Sequence, residues 1–239
     1  MNTTVLYNQM NTLRTPRTKL RDRVLPDYTK GEEIFNMVTH IVGGAFGIAA
    51  LVLCVVKCAL VHDCWGVVSS AIYGASLIIL YTISSVYHGL NECMGKKVMQ
   101  VIDHCTIYFL IGGTYTPILL AGMRKIHPGW AFSIFGIVWG LSIVAATFTA
   151  IDHNKYKRLS MICYIVIGWC IVIALKPTVE SIGIAAMLWI LAGGISYTIG
   201  ALLYVKGKKN KIRYMHSVFH IFVLLGSFFQ FVAIYFLIL

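Results

Sequence analysis

The sequence predicts an all-α integral membrane protein, a bundle of seven transmembrane helices. Three observations predict this fold class. Hydrophobic residues make up 58% of the 239 residues and charged residues only 12%, a balance that water-soluble domains of ordinary composition do not reach. The apolar residues form seven stretches, each near the ~20 residues that cross a bilayer core. The connectors between them are short, which excludes a separate soluble catalytic or nucleotide-binding domain.

The predicted elements follow in order along the chain. Residues 1–33 form a basic N-terminal tail without the apolar segment of a signal peptide. Thr29 and Glu32 have capping-box spacing, which indicates that the first helix starts near Ile34. Residues 34–239 form the transmembrane domain, and consecutive helices are antiparallel because their connectors are short. The predicted spans are 34–57, 65–90, 98–122, 129–150, 159–175, 181–205 and 213–239, of which the fifth is the shortest.

The positive charges predict the orientation of this bundle. Sixteen of the 20 Lys and Arg residues lie in the N-terminal tail and the even-numbered loops, and four lie in the odd-numbered loops. Because positive loops stay in the cytoplasm, the N-terminus is predicted to be cytoplasmic and the C-terminal Leu239 to be outside. We therefore expect a multi-pass protein of the cell membrane. Its positive net charge then reflects membrane topology, and no nucleic-acid partner is expected.

Two pairs of glycines are spaced four residues apart inside predicted spans. They are Gly43 with Gly47 and Gly136 with Gly140. Small residues at this spacing allow two helix backbones to approach closely. The sequence therefore predicts a helix-packing role for both pairs.

The polar residues inside the spans carry the functional signal. Asp103 is the one carboxylate of nine within a predicted span, and an intramembrane carboxylate is a functional candidate. Five of the eight histidines also lie in spans: His40, His88, His104, His216 and His220. Because alternate helices reverse direction, all six groups fall at the cytoplasmic end, within roughly 12 Å of the boundary at 1.5 Å per residue. Purely structural histidines would be expected in both leaflets.

The spacing of these residues favours a metal site. His216 and His220 are four residues apart, so that both rings project from one helix face, and Ser84 lies one turn before His88. Three neutral imidazoles with an open fourth position are typical of catalytic zinc, whereas structural zinc more often has four protein ligands, including thiolates. Asp103 could then hold or deprotonate a water molecule, and Ser84 could donate a hydrogen bond to that water or to a substrate oxygen.

Several alternatives stay open from spacing alone. Either His40 or His104 could be a ligand in place of one of the three histidines above. Copper or haem could occupy such a shielded site instead of zinc. The HxxxH pair taken by itself is also common in purely structural helices.

Five sequence runs together resemble the hemolysin III family, which is related to the progestin and adipoQ receptors and, more distantly, to alkaline ceramidases. The runs are Asn36–His40, Ser84–His88, Asp103–His104, Gly112–Pro117 and His216–His220. The resemblance covers about residues 28–239 and leaves out most of the N-terminal tail.

The resemblance implies a seven-helix bundle with a zinc ion near its cytoplasmic face. In the family pattern, His88, His216 and His220 correspond to the zinc ligands, Asp103 to a residue near the zinc-bound water, and Ser84 to a polar neighbour of the site. His40 and His104 match motif positions in supporting roles. The adiponectin and steroid binding of eukaryotic relatives is not carried over, because the sequence has no matching extracellular domain or ligand residues.

These observations predict a zinc-dependent membrane hydrolase, ceramidase-like, that cleaves an amide or ester bond of a membrane lipid. Its expected partners are therefore a membrane lipid and a zinc ion. The first alternative is a cytolysin, although a chain with seven spans is expected to stay in its own membrane. The second is a receptor or lipid sensor in which zinc only holds helices together. A proton-coupled transporter is a third, but no pair of broken half-repeats supports it.

Overall fold

The computed structural model describes residues 17–239, and this part of the chain is helical, without a β-strand. Residues 1–16, the first half of the predicted basic tail, lie outside the described residues. The α-helices are α1 (Lys30–Leu60), α2 (Cys64–Gly89), α3 (Met94–Pro117), α4 (Pro128–Ile151), α5 (His153–Gly168), α6 (Leu175–Asn210) and α7 (Met215–Val232). Short π or 3-10 turns continue the chain after α3, α5 and α7.

Side-chain caps fix where several helices begin. The capping box predicted for the first helix is confirmed: Thr29 Oγ1 accepts from the Glu32 backbone N–H at 3.2 Å, and Glu32 Oε2 accepts from the Thr29 N–H at 2.8 Å. The helix therefore begins at Lys30, slightly before the predicted apolar start. Asp63 caps α2 and Asp152 caps α5 in the same way, by accepting from a backbone N–H three residues ahead.

Six continuous helical stretches of the described chain are long and apolar enough to cross a membrane. The chain is accordingly a multi-pass membrane protein, as predicted. Five of the stretches correspond to one predicted span each, whereas the stretch His153–Asn210 contains 58 residues and covers the predicted fifth and sixth spans. A 3-10 turn at Cys170–Ala174 interrupts this stretch, and Gly183 with a φ of 81° bends it. Glycine suits that position because a side chain would strain a positive φ.

The segments that connect the helices contact each other in two separate groups, which we call the two end layers of the bundle. In one layer, the Thr18 backbone N–H donates to Asp152 Oδ2 at 2.7 Å. In the other, His127 Nε2 lies 2.8 Å from Glu180 Oε2, and Lys125 Nζ lies 3.5 Å from Asp63 Oδ2. Burial opposes ionisation of Asp63, but the backbone N–H of the α2 cap and the Lys125 charge outweigh it and lower the pKa of this carboxyl.

The two predicted glycine pairs differ in their surroundings. A Cβ at Gly43 would lie 2.5 Å from the Tyr81 ring, and one at Gly47 would lie 3.1 Å from the Leu77 Cβ. This pair packs α1 closely against α2, as predicted. The prediction for Gly136 and Gly140 is wrong, because a Cβ at either position would meet no atom within 4 Å. The four-residue spacing alone does not specify which face of α4 meets another helix.

Candidate metal centre

The first turn and a half of α7 carries two histidines on one face. His216 and His220 are one turn apart, and their Nε2 atoms are separated by 3.2 Å. The helix start is held by α1, because Glu32 Oε1 accepts from the Tyr214 backbone N–H at 2.7 Å. Tyr214 itself adopts a left-handed conformation with a φ of 60°, which turns the chain sharply into α7. The HxxxH motif is thereby anchored to the first helix.

The third histidine comes from the end of α2. His88 Nε2 lies 3.3 Å from His216 Nε2, although the two residues are 128 positions apart in the sequence. His88 is 3% exposed and His220 is 2% exposed, while His216 is half-buried. One ligand atom from each of the three lies within 4.8 Å of the others. The structure therefore brings together the three histidines that the sequence proposes as ligands.

The separations of these nitrogens fit tetrahedral zinc. Zinc–imidazole bonds are about 2.0–2.1 Å long, so two ligand nitrogens at neighbouring corners of a regular tetrahedron lie about 3.3–3.4 Å apart. Two of the three Nε2–Nε2 separations are 3.2 and 3.3 Å, and the third pair of ligand atoms lies within 4.8 Å. The donor set of three imidazoles also matches sites in which a fourth position is open. On both grounds the residues fit the ion.

Hydrogen bonds at the opposite ring nitrogens favour the tautomer that metal binding needs. His88 Nδ1 lies 2.5 Å from Glu33 Oε2, and a carboxylate can only accept. His220 Nδ1 lies 3.5 Å from Thr39 Oγ1, whose own hydrogen is directed to backbone carbonyls of α1. Nδ1 of both rings is therefore the protonated nitrogen, and both Nε2 atoms present lone pairs to the centre.

Glu33 contacts the candidate site, and the sequence reasoning missed it. Its second oxygen, Oε1, accepts from Lys96 Nζ at 2.6 Å, and this ammonium also donates to the Leu90 carbonyl at 2.7 Å. Lys96 is 5% exposed, so the ion pair is shielded from water. The signal that could have found Glu33 is helical spacing, because Glu33, Asn36 and His40 lie at i, i+3 and i+7 on one face of α1.

Ser84 and Asp103 lie beside the three imidazoles. Ser84 is one turn before His88 on α2 and is 2% exposed, and its hydroxyl faces the Asp103 carboxylate from α3. Asp103 is 9% exposed, and its Oδ2 lies 3.7 Å from His104 Nδ1. Both residues line the same cavity as His216 and His220. The pair is thus placed where a polar group of a ligand could reach it.

The other two intramembrane histidines lie outside the three-imidazole group. His40 stacks on His220 with ring centroids 3.7 Å apart, and neither of its buried nitrogens has a hydrogen-bond partner among the described residues. His104 lines the cavity but contacts other residues, with Nδ1 2.8 Å from the Gln100 carbonyl and its ring 4.1 Å from that of His153. His153, which lies outside the predicted spans, is the buried first residue of α5.

A cavity of about 170 Å³ extends from the imidazoles into the bundle. Most of its lining is aliphatic or aromatic, as at Leu80, Ile111 and Val223. It reaches Gln230, which is ten residues after His220 on α7 and therefore about 15 Å away along the helix axis. A ligand with one polar end and an extended apolar part fits this shape.

Residues 17–29 precede α1, and we call this segment the strap; its residue Tyr28 contacts the three-imidazole group. Tyr28 stacks on His216 with ring centroids 5.1 Å apart and an interplanar angle of 11°, and its ring lies 5.9 Å from that of His88. Burial, followed by the charges of Tyr204, Tyr87, Glu33 and Asp103, raises the pKa of Tyr28 well above its usual value. Tyr28 is therefore a neutral phenol at physiological pH.

Comparisons with known proteins agree with the resemblance found in the motifs. The model of the family described as haemolysin-III related matches residues 28–231. The chain is 34% identical over 208 residues to hemolysin-3 of Bacillus cereus, covering 87% of this chain and 92% of that protein. It is 36% identical over 200 residues to the hemolysin-3 homolog of Bacillus subtilis (strain 168), covering 84% and 91%. The human monocyte to macrophage differentiation factor is 25% identical over 215 residues, covering 85% and 83%.

Proposed function

Because the chain belongs to the haemolysin-III-related family and gathers three imidazoles inside a membrane protein, we propose that it is a zinc-dependent hydrolase of membrane lipids. The substrate class is a lipid with an amide or ester bond. The observation that carries the proposal is the convergence of three Nε2 atoms, two of them with their opposite nitrogen held by an acceptor. The Nε2 lone pairs of the three rings repel each other at this distance, and a bound cation would offset that repulsion.

The proposal includes a topology of seven spans with a cytoplasmic N-terminus and an outside C-terminus. The stretch His153–Asn210 would measure about 87 Å as one straight helix, far more than the ~30 Å core of a bilayer. Its two ends lie in the layer of the metal centre, since His153 contacts His104 and Tyr204 contacts His216. Glu180, between them, contacts His127 in the opposite layer. These contacts support two crossings within the stretch.

The positive charges support the orientation. The layer that contains the metal centre carries the strap and the basic loops, which a cytoplasmic position favours. Residues 1–33 then form the basic cytoplasmic tail and residues 34–239 the seven-helix domain. The metal centre lies just beneath the cytoplasmic headgroups, and the cavity descends from it towards the outer leaflet.

His88, His216 and His220 would hold the zinc ion. When bound, zinc supplies Lewis-acid polarisation of a carbonyl group and activation of water at neutral pH. Asp103 accepts a proton from the attacking water and returns it to the leaving amine or alcohol. Ser84 donates a hydrogen bond to the carbonyl oxygen as negative charge develops there. Fatty acid and the deacylated lipid are the expected products.

The apolar lining of the cavity supports a lipid substrate. Ser84 and Asp103 lie at its polar end, and the aliphatic side chains below them exclude water from an acyl chain. The acyl chain of a membrane lipid is already out of water, so on entering the cavity it exchanges one apolar environment for another. The polar end is then left to orient the scissile bond.

The test is fatty-acid release by the detergent-purified, zinc-loaded protein from a panel of amide and ester lipids, followed by mass spectrometry. His216→Ala is expected to abolish release and zinc binding together. His62→Asn, at an exposed loop position, is the matched control and is expected to keep both. Release that persists in His216→Ala would contradict the assignment. Zinc-dependent thermal stability without hydrolysis of any lipid in the panel would favour a structural zinc in a receptor or sensor.

The names of the two bacterial relatives favour a second candidate, membrane lysis. A protein with several apolar spans is expected to remain in its own membrane, which argues against a released pore former. Dye release from liposomes distinguishes the two candidates. Leakage that is unaffected by a chelator and by His216→Ala would favour lysis over hydrolysis.

A further inference from the structure

The three imidazoles are supported unequally. His88 has the Glu33 carboxylate at Nδ1, and His220 has Thr39 at the same atom. His216 Nδ1 is buried and has no hydrogen-bond partner among the described residues. Metal-binding histidines usually have such a partner, which fixes the orientation of the ring. The ring of His216 must therefore be held by some other means.

Aromatic rings take the place of the missing acceptor. Tyr28 lies nearly parallel to the His216 ring, at 5.1 Å and 11°. Tyr204 and Phe219 contact the same ring at 5.3 and 5.8 Å, but both belong to helices whose packing fixes them. Tyr28 alone of the three belongs to the strap, outside the bundle helices.

The strap is attached to the bundle on both sides of its path. At its start, the Thr18 N–H donates to Asp152 Oδ2 at 2.7 Å, and Lys97 Nζ donates to the Arg21 carbonyl at 2.7 Å. At its end, Arg213 Nη1 donates to the Asp27 carbonyl at 2.7 Å. Tyr28 is next to Thr29, the N-cap of α1, whose backbone N–H donates to Glu32 Oε2 at 2.8 Å.

We propose that Tyr28 is the positioning residue for His216, and that the strap closes the cytoplasmic side of the metal centre and limits exchange of the ion. This inference rests on the proposed metal site and goes beyond the proposed hydrolysis. The Tyr28 ring stacks on the His216 ring and fixes its orientation, although His216 Nδ1 has no hydrogen-bond partner among the described residues. Detachment of the strap frees the His216 ring and opens a path for the ion and for water. The ion is then released through His216, the ligand with the weakest support.

The experiment measures the rate at which zinc passes from the loaded, detergent-purified protein to an excess of a coloured chelator. Tyr28→Ala is expected to release zinc about 10- to 100-fold faster, the range found when support of a metal ligand is lost. Tyr28→Phe retains the stacked ring and is expected to release zinc at close to the original rate. Val24→Ala, at a strap residue that is 83% exposed, is the matched control. Equal rates for Tyr28→Ala and Val24→Ala would overturn the proposal.

A second measurement uses metal-free protein, so that failure of the zinc site is distinguished from failure of the cover. Diethyl pyrocarbonate modifies accessible imidazoles, and mass spectrometry of the peptide that contains His216 reports the rate. Faster modification in Tyr28→Ala than in Val24→Ala supports the cover even if the wild-type protein takes up no zinc. Unchanged modification together with unchanged zinc release contradicts it. Circular dichroism checks that each variant is folded.

Discussion

Replacement of Glu33 by glutamine removes the charge behind His88 and keeps the shape of the side chain. The carboxylate lies 2.5 Å from His88 Nδ1, and its side chain is 18% exposed. A glutamine oxygen can still accept from Nδ1, so the ring orientation is retained. What is lost is the negative charge that makes the imidazole a stronger donor to a metal ion.

The expected loss of zinc affinity in Glu33→Gln is about 10- to 100-fold. At about 1.4 kcal/mol per tenfold, this corresponds to about 1.4–2.8 kcal/mol of binding free energy. The substitution also leaves Lys96, 5% exposed, without its carboxylate partner. Glu33→Gln alone is therefore expected to lower the melting temperature of the metal-free protein. Combination with Lys96→Met should restore the melting temperature without restoring the affinity.

Competition with a chelator of known affinity measures the effect on purified protein. Glu92→Gln is the control, because Glu92 is an exposed carboxylate near the same end of α2 and its loss changes the net charge equally. An affinity of Glu33→Gln equal to that of Glu92→Gln would refute the reasoning. Recovery of affinity in the Glu33→Gln/Lys96→Met protein would also refute it, since the unpaired ammonium would then be the cause.

Three further predictions concern His88, Asp152 and Gly74. The wild type is expected to purify with one equivalent of zinc and His88→Ala without it, and mass spectrometry of metal content checks this. Burial opposes ionisation of Asp152, but backbone N–H groups of Thr18 and Lys155 outweigh it and lower the pKa of this carboxyl. Its stabilisation is therefore present above the unfolded pKa of about 3.9 and is lost as the pH falls through the folded pKa. Asp152→Asn should lower the melting temperature at pH 7, and the difference from the wild type should shrink below about pH 4; a constant difference would argue against the charge. Gly74→Ala is expected to destabilise the protein by about 1–3 kcal/mol, because the new Cβ would lie 2.6 Å from the backbone Cα of Leu51. Gly136→Ala, where nothing lies within 4 Å, should be neutral or slightly stabilising, and thermal unfolding in one detergent compares the two.

The sequence predicts that histidines of distant segments meet at one depth, because this signal depends on topology alone. Reversal of direction at each short loop brings His88 and His216 to one depth before any packing is known. Their meeting at 3.3 Å then needs only that α2 and α7 be neighbours. The same reasoning cannot decide which of several histidines at one depth turn inwards. The pattern therefore leaves His40 and His104 open, and in the folded bundle neither belongs to the group of three imidazoles whose ligand atoms lie close together.

The supporting residues were not predictable in the same way. Glu33 and Tyr28 are close to the start of α1, where charged and aromatic residues are common for reasons unrelated to a site. Lys96 looked like one more positive residue of a cytoplasmic loop, but it is 5% exposed and paired. Gly136 shows the converse error, since a spacing that permits close packing does not create it. The contacts of all four residues depend on which helices become neighbours in the fold, and the local sequence pattern does not contain that information.

Glu32 connects the start of α1 to the start of α7. The same carboxylate caps the first helix and accepts from the Tyr214 backbone N–H at 2.7 Å, at the entrance to the last. Because translation proceeds from the N-terminus, Glu32 is synthesised 182 residues before Tyr214, its second partner. Until then His88 lacks both companions from α7. A nascent chain that ends before α7 therefore lacks two of the three proposed ligands, and the proposed metal site can form only after α7 has been made.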